Sequence, residues 1–310
     1  MFDRNAIVVG VDGSAESLEA VDWACARAKI SGMDIEVLCA YALPSYTAAS
    51  MESGMAVIDD EAIRSSAIAV VEEAAEHART YGVNVRSIVE PGDPTGILIK
   101  MSKEVKMIVV GTRGGGGFAD RLLGAVSSAI PAHSFCPVVV VPRHKEGAEF
   151  TPVQRIVVGV DGSKPSQTSL QVAIKEAQLW GAELTAVQAV PMAASAGVLA
   201  WLPAAVDREA ILKDVRSELR EMADTLTQDN NVTVRTHALD GNPAGLLSEF
   251  STAVDLVVVG SRGRGGFAGL LLGSTSQTVL EHSVSPVMVV PTAAWAEKEN
   301  VDPATQWQRR

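Results

Sequence analysis

Short, mostly apolar runs recur along the chain, many of them β-branched, the one at 256–259 continuous and flanked by Asp255 and Gly260. They occupy residues 7–11, 35–41, 106–110 and 138–141, then 155–160, 184–190, 256–259 and 287–290. Runs of this length without alternation predict strands buried on both faces. Residues 84–90 and 233–239 complete the strand set. Between the strands the apolar spacing changes to that of helices. Leu18, Val21, Ala24, Cys25 and Ala28 share one face of a first helix, which Ser14 is placed to cap and Gly32 to stop. A long alanine-rich helix is predicted over 58–81, with Ile63, Ala67, Val70, Val71 and Ala74 inward. A short helix over 95–103 has Pro94 in its first turn, and another follows near 126–133. The later half repeats the series at 165–180, 207–226, 244–251 and 275–282. Residues 44–56 read as a mobile loop, and a second loop runs through Trp201, Leu202 and Pro203. Strands alternating with helices imply a parallel sheet with right-handed crossovers.

The two halves are copies. Residues 7–14 and 156–163 are the same octamer, IVVGVDGS. At the same offset of 149 residues, GDP at 92–94 matches GNP at 241–243, and PVVVVP at 137–142 matches PVMVVP at 286–291. The period is too long for a solenoid, so two domains are expected, 1–143 and 153–292. A polar linker, 144–152, joins them, and a tail, 293–310, follows, with Trp295 and Trp307 available to dock it. Each domain is expected to be a doubly wound, Rossmann-like α/β unit of five parallel strands in the order 3-2-1-4-5. The apolar strands at 138–141 and 287–290 end their sheets, and exposed edges seek partners.

Composition narrows the function classes. The net charge of −11 argues against nucleic acid and against anionic membranes. No basic stretch leads into a long apolar one at the start, and no apolar run reaches membrane-spanning length, so a cytoplasmic protein is expected. Cys25, Cys39 and Cys136 all lie in the first copy without a CxxC, which fits small core residues in a reducing compartment. His77, His133, His144, His237 and His282 have no metal-ligand spacing and read as structural or exposed.

The candidate chemistry sits at two glycine-rich stretches, each following a buried strand and preceding a helix. The second reads GSRGRGGFAGLLLGS over 260–274, and the first GTRGGGGFADRLLGA over 111–125. Glycines let backbone N–H groups close round an anion, and a helix N-terminus adds its unpaired N–H groups and dipole. The plainer alternative is a glycine-rich surface turn. Ser274 is placed to cap the helix or to donate to a phosphate oxygen. Asp12 and Asp161, closing the first strand of each copy, either contact a ligand or form Asx turns. Arg113 and Arg262 either balance phosphate charge or lie in solvent, whereas Arg264, opposite Gly115, reads as a surface charge. Ligands in such sheets bind beyond the carboxyl ends of the strands, where strand order reverses. Strands one and four are therefore expected to be neighbours.

These residues resemble the universal stress protein family in its tandem two-domain form. The resemblance covers residues 3–143 and 153–292. The family's nucleotide motif is G-x2-G-x9-G-[ST]. Gly260, Gly263, Gly273 and Ser274 match it throughout, whereas Gly111, Gly114 and Gly124 match but Ala125 replaces the hydroxyl residue. The resemblance implies ATP binding, with or without Mg²⁺, and sets the aspartate of VDGS against the adenine and ribose. It also places backbone groups at Ala40 and Ala189 in the adenine pocket, where plain core is the alternative, and implies that the strands at 138–141 and 287–290 pair with each other, inside one chain as a pseudo-dimer or between chains as a homodimer. Ser127 and Ser276 stand at equivalent places, where Ser127 offers a substitute for the hydroxyl missing at Ala125. The second site is thus expected to be the tighter.

No GxxxxGK[ST], no GxGxxG after strand one and no nucleophile elbow occur. Residues 256–280 contain no Asp or Glu to orient water or hold Mg²⁺, so slow or absent hydrolysis, at most a weak ATPase, is expected. Three functions stay open. The first is a nucleotide-dependent stress-response regulator acting on an unnamed downstream protein. The others are an α/β enzyme that hydrolyses or transfers nucleotides, and a structural dimerisation module with vestigial sites. The enzyme reading lacks any SGGxDS or HxGH signature.

Overall fold

The computed structural model describes residues 4–42, 60–114, 123–143, 149–191, 207–228, 232–264 and 272–291. They form two units that divide between Ile130 and Pro131. The loops read at 44–56 and 201–203, and the tail with Trp295 and Trp307, lie outside the described residues, as does most of the linker.

In the first unit the strands are β1 (Ala6–Gly10), β2 (Asp34–Tyr41), β3 (Val85–Pro91) and β4 (Met107–Gly111). All are parallel, in the order β3-β2-β1-β4. The central strands are sealed on both faces, with Ile7, Val8, Val9, Ile108 and Val109 inaccessible to solvent, as their unbroken apolar runs require. The outermost strand, β3, is half-exposed along its length. Helix α1 (Ala15–Ser31) starts at Ser14, whose hydroxyl accepts from the Ser17 N–H at 3.2 Å. It ends at Gly32, which adopts the left-handed conformation that terminates helices (φ 68°). Helix α2 (Asp60–Arg79) packs on β2 and β3, and α3 (Pro94–Met101) on β1 and β2, with Asp93 capping α3. Helix α4 (Ala125–His133) follows the glycine loop and spans the division between the units.

The second unit holds β5 (Val138–Val141), β6 (Arg155–Val160), β7 (Glu183–Val190), β8 (Val234–Asp240), β9 (Leu256–Gly260) and β10 (Val287–Val290). Its parallel strands run β8-β7-β6-β9-β10, the 3-2-1-4-5 order of a doubly wound fold. Strand β5 lies antiparallel to β10, with Met288 opposite Val139. The two apolar edge runs therefore pair within the chain, and both are fully buried. The helices are α5 (Lys164–Trp180), α6 (Arg208–Thr227), α7 (Pro243–Phe250) and α8 (Ser274–His282). Ser163 caps α5, Asp207 caps α6 and Asn242 caps α7. Cys25, Cys39 and Cys136 are buried free thiols. Burial, reinforced by the charge of Asp22, pushes the Cys25 thiol up to about 12.

One expectation fails at α8. The helix is capped by Gly273, which has no side-chain cap, and Ser274 is its first helical residue. The Ser274 hydroxyl therefore does not cap the helix. Ala125 likewise begins α4, so its missing hydroxyl costs that helix no cap.

Candidate functional site: two glycine-loop cavities

The pairing of β1 with β4, and of β6 with β9, brings the two motifs of each copy together. Gly10 stands opposite Val110, and Val158 opposite Val258. Asp12 and the loop after Gly111 thus leave the sheet side by side, as do Asp161 and the loop after Gly260. This is the crevice where parallel strand order reverses. A cavity of about 360 Å³ opens there in the first unit and one of about 680 Å³ in the second.

Each glycine loop is tied at its ends. The Gly273 N–H donates to the Ser261 carbonyl at 2.8 Å, and the Gly124 N–H to the Thr112 carbonyl at 2.7 Å. The Ser276 hydroxyl donates to the Gly260 carbonyl at 2.6 Å, and the Ser127 hydroxyl to the Thr112 carbonyl at 2.6 Å. Ser127 also accepts from the Gly124 N–H at 3.0 Å. Both serines are buried, and these bonds commit their hydroxyls to the loop backbone. Ser127 is therefore poorly placed to stand in for a hydroxyl at Ala125.

The second loop is tied to its aspartate as well. In the second unit Asp161 Oδ1 accepts from the Ser163 N–H at 3.0 Å and from the Ser163 hydroxyl, an Asx turn, while Oδ2 accepts from the Arg264 N–H. Burial pushes the Asp161 carboxyl up, but the Ser163 hydroxyl, the N–H groups of Arg264 and Ser163 and the Ser166 hydroxyl outweigh it. They hold the group below its ordinary value. Asp12 makes the same turn, accepting from the Ser14 N–H at 3.1 Å and the Ser14 hydroxyl at 2.6 Å. A Cβ on Gly263 would strike Asp161 Oδ2, and one on Gly114 would strike Asp12 Oδ2. These glycines are needed first for the loop to reach its aspartate. Gly111 has another constraint, since a Cβ there would lie 2.7 Å from the Glu16 carbonyl oxygen of α1.

Every expected site residue that bears on the second cavity, Asp161, Ala189, Gly260, Arg262, Gly263, Gly273, Ser274 and Ser276, lines it. Asp12, Ala40, Gly111, Arg113, Gly114, Gly124, Ala125 and Ser127 line the first. Among the residues that sequence reasoning did not place at the cavity are Arg264 and Gln188. Arg264 is exposed, as expected of a surface charge, yet it also lines the second cavity, its Nη2 3.4 Å from where a side chain on Gly162 would begin. Gln188, on β7, lines the same cavity. Its signal was a mismatch between the copies, because Cys39 occupies the equivalent position. Burial, and then the charge of Asp12, raise the Cys39 thiol above its ordinary value, which sets that position beside the strand-one aspartate.

The charges facing the two cavities differ. Among the described residues, Asp161 is the one acidic residue lining the second, against Arg262 and Arg264. Asp12 and Arg113 are the corresponding charges in the first. The first turn of α8 presents N–H groups without intrahelical partners, next to a loop of glycines. This arrangement favours an anion such as a phosphate.

Comparison with known proteins bears on the same residues. The family model of the universal stress proteins matches residues 3–142 and again 152–291. The chain belongs to the universal stress protein family. A universal stress protein of Mycobacterium tuberculosis is 32% identical over 297 residues, covering 91% of this chain and 95% of that one. One from Mycobacterium bovis is 33% identical over 294 residues, covering 92% and 97%. The crystal structure of a universal stress protein from Archaeoglobus fulgidus is 24% identical, with a TM-score of 0.66 over 94% of this chain and 98% of that one, a likeness of fold. In this member of the family, no described helix is long and apolar enough to cross a membrane. No group of three or more His, Cys, Asp or Glu among the described residues is placed to hold a metal ion. His77 is instead paired with Asp22, which also accepts from the Tyr81 hydroxyl at 2.7 Å.

Proposed function

We propose that this universal stress protein binds ATP in both copies, in domains 1–143 and 153–292, and that occupancy regulates its action in a cytoplasmic stress response. The carrying observation is the second cavity. There the tied glycine loop, the α8 N-terminus without a side-chain cap and two arginines converge on a space of about 680 Å³. That volume lies within the range of small-molecule sites. Phosphates belong at Gly263, Gly273 and Ser274, and the nucleoside belongs toward Asp161 and Ala189. The residues do not fit a resident metal ion. Asp161 is the one carboxylate facing the cavity among the described residues, and its oxygens accept from Ser163 and Arg264. Mg²⁺ would arrive held by the triphosphate.

The same shortage of carboxylates supports binding with slow or absent hydrolysis, because no second acidic group is on hand to orient water. The test is thermal unfolding with and without ATP and Mg²⁺. A ligand that binds only the native state adds about 2.7 kcal/mol of stability at a hundredfold excess over Kd. A melting temperature unmoved by millimolar ATP would overturn the proposal and leave a structural module with vestigial sites.

A further inference from the structure

The second cavity is lined by Gly263, Gly273 and Ser274 of the glycine loop and α8 and by the apolar side chains of Val187, Val190, Pro191, Val215 and Leu247. Gln188 is the neutral polar side chain that β7 contributes to this lining. It is 9% exposed, and among the described residues its carboxamide has no hydrogen-bond partner. Its amide nitrogen lies 3.7 Å from where a side chain on Gly162 would begin, placing it next to the turn that carries Asp161. Gln188 is not among the residues whose polar atoms are sealed off without a partner, so its amide faces the open cavity and can pair with what enters it.

We propose that Gln188 reads the nucleobase of the ligand in the second cavity. Either way round, the carboxamide offers one acceptor beside one donor. That pair complements the edge of adenine, where a ring nitrogen acceptor stands next to the 6-amino donor. A phosphate offers acceptors only and would use just the donor half of the carboxamide. The first copy has no such reader, because Cys39 carries a protonated thiol, a weak donor, at the same place. Selection for the 6-amino group therefore belongs to the second site alone. This inference rests on the nucleotide reading above and adds the base-recognition group to it.

The test compares ATP with purine riboside 5′-triphosphate, which lacks the 6-amino group, by calorimetric titration in the presence of Mg²⁺. The proteins are Gly124→Asp, in which the first site is blocked, and Gly124→Asp combined with Gln188→Met. Methionine keeps the length and drops the amide, so the ligand-free protein should melt at the same temperature or higher. The parent should prefer ATP about tenfold, as expected for one net hydrogen bond, and the methionine variant should bind the two ligands alike. A preference for ATP that survives Gln188→Met, or a loss of affinity equal for both ligands, overturns the inference while leaving nucleotide binding intact. Failure of the parent to bind either ligand overturns both.

Discussion

The first and second copies of this universal stress protein share their backbone devices and differ in residues at and near the two cavities. Ser14 and Ser163 cap equivalent helices, and Asp12 and Asp161 make the same Asx turn. Gly124 and Gly273 close their loops onto equivalent carbonyls. The cavities are nonetheless about 360 and 680 Å³. Ala125, Cys39 and Gly115 in the first copy stand where the second has Ser274, Gln188 and Arg264. The bonds that keep a loop in place have been retained on both sides, since losing one strands a buried polar group. Side chains facing an open cavity carry no such penalty and have diverged. On the nucleotide reading proposed above, the second site is expected to recognise more of the ligand.

The largest expected effect breaks that assignment directly. At Gly273 a Cβ would meet nothing closer than 3.5 Å, and at Gly124 nothing closer than 3.4 Å. Asp is a favourable residue at a helix N-cap, so Gly273→Asp and Gly124→Asp should both fold. Each sets a carboxylate where a phosphate would lie, and like charges in one site cost several kcal/mol. In ATP titration calorimetry, Gly273→Asp should weaken the tighter event by more than about a hundredfold, leaving the weaker one. Gly124→Asp should spare the tighter event. The reverse pattern would make the first site the stronger.

The sequence made the scaffold legible because buried parallel strands are mostly apolar runs and the duplication displayed the landmarks twice. The strand-one and strand-four motifs met where the topology rule placed them. What stayed hidden was which atoms the motif residues use. Gly111 is required by the Glu16 backbone of α1, and Gly263 by Asp161, and neither close approach has a signature along the chain. The first-turn position of Ser274 looked like a cap because capping is read from residue type, whereas the actual N-cap is one residue earlier. Gln188 sat inside a strand and was absorbed into the apolar pattern.

A smaller effect separates the copies by packing. Gly10 and Gly159 are equivalent, each beneath the short third helix of its copy. A Cβ on Gly159 would lie 2.6 Å from Leu247 Cδ1, and one on Gly10 would lie 3.2 Å from Val110 Cγ1 and 3.4 Å from Leu98 Cδ1. Gly159→Ala must displace Leu247 and should cost about 1–3 kcal/mol, the usual range for overpacking. Gly10→Ala should cost less than about 1 kcal/mol, because its neighbours need yield only slightly. Denaturant midpoints of the two variants against the parent measure this. Equal losses would mean that the two copies are packed alike at this point.

The smallest expected effect is in acid and concerns the tie between Asp161 and the loop. The folded state holds this carboxyl below its ordinary 3.8, despite burial acting the other way. A depressed folded value means that the unfolded chain takes up the proton first as pH falls. The contribution to stability is therefore complete above about pH 4 and is lost as pH drops through the lower folded value. In Asp161→Asn the amide oxygen still accepts from the Ser163 N–H, but an amide nitrogen then faces the Arg264 N–H, donor against donor. The loop tie is broken, and nothing at that position titrates. The group is half-exposed, so solvent screening limits the loss at neutral pH to below about 1 kcal/mol. Denaturant midpoints of parent and variant between pH 2 and pH 7 should differ at pH 7 and converge in acid. A gap that persists unchanged at pH 2 would show that the variant acts through packing, and the ionised carboxylate would no longer distinguish the anchoring of the second loop.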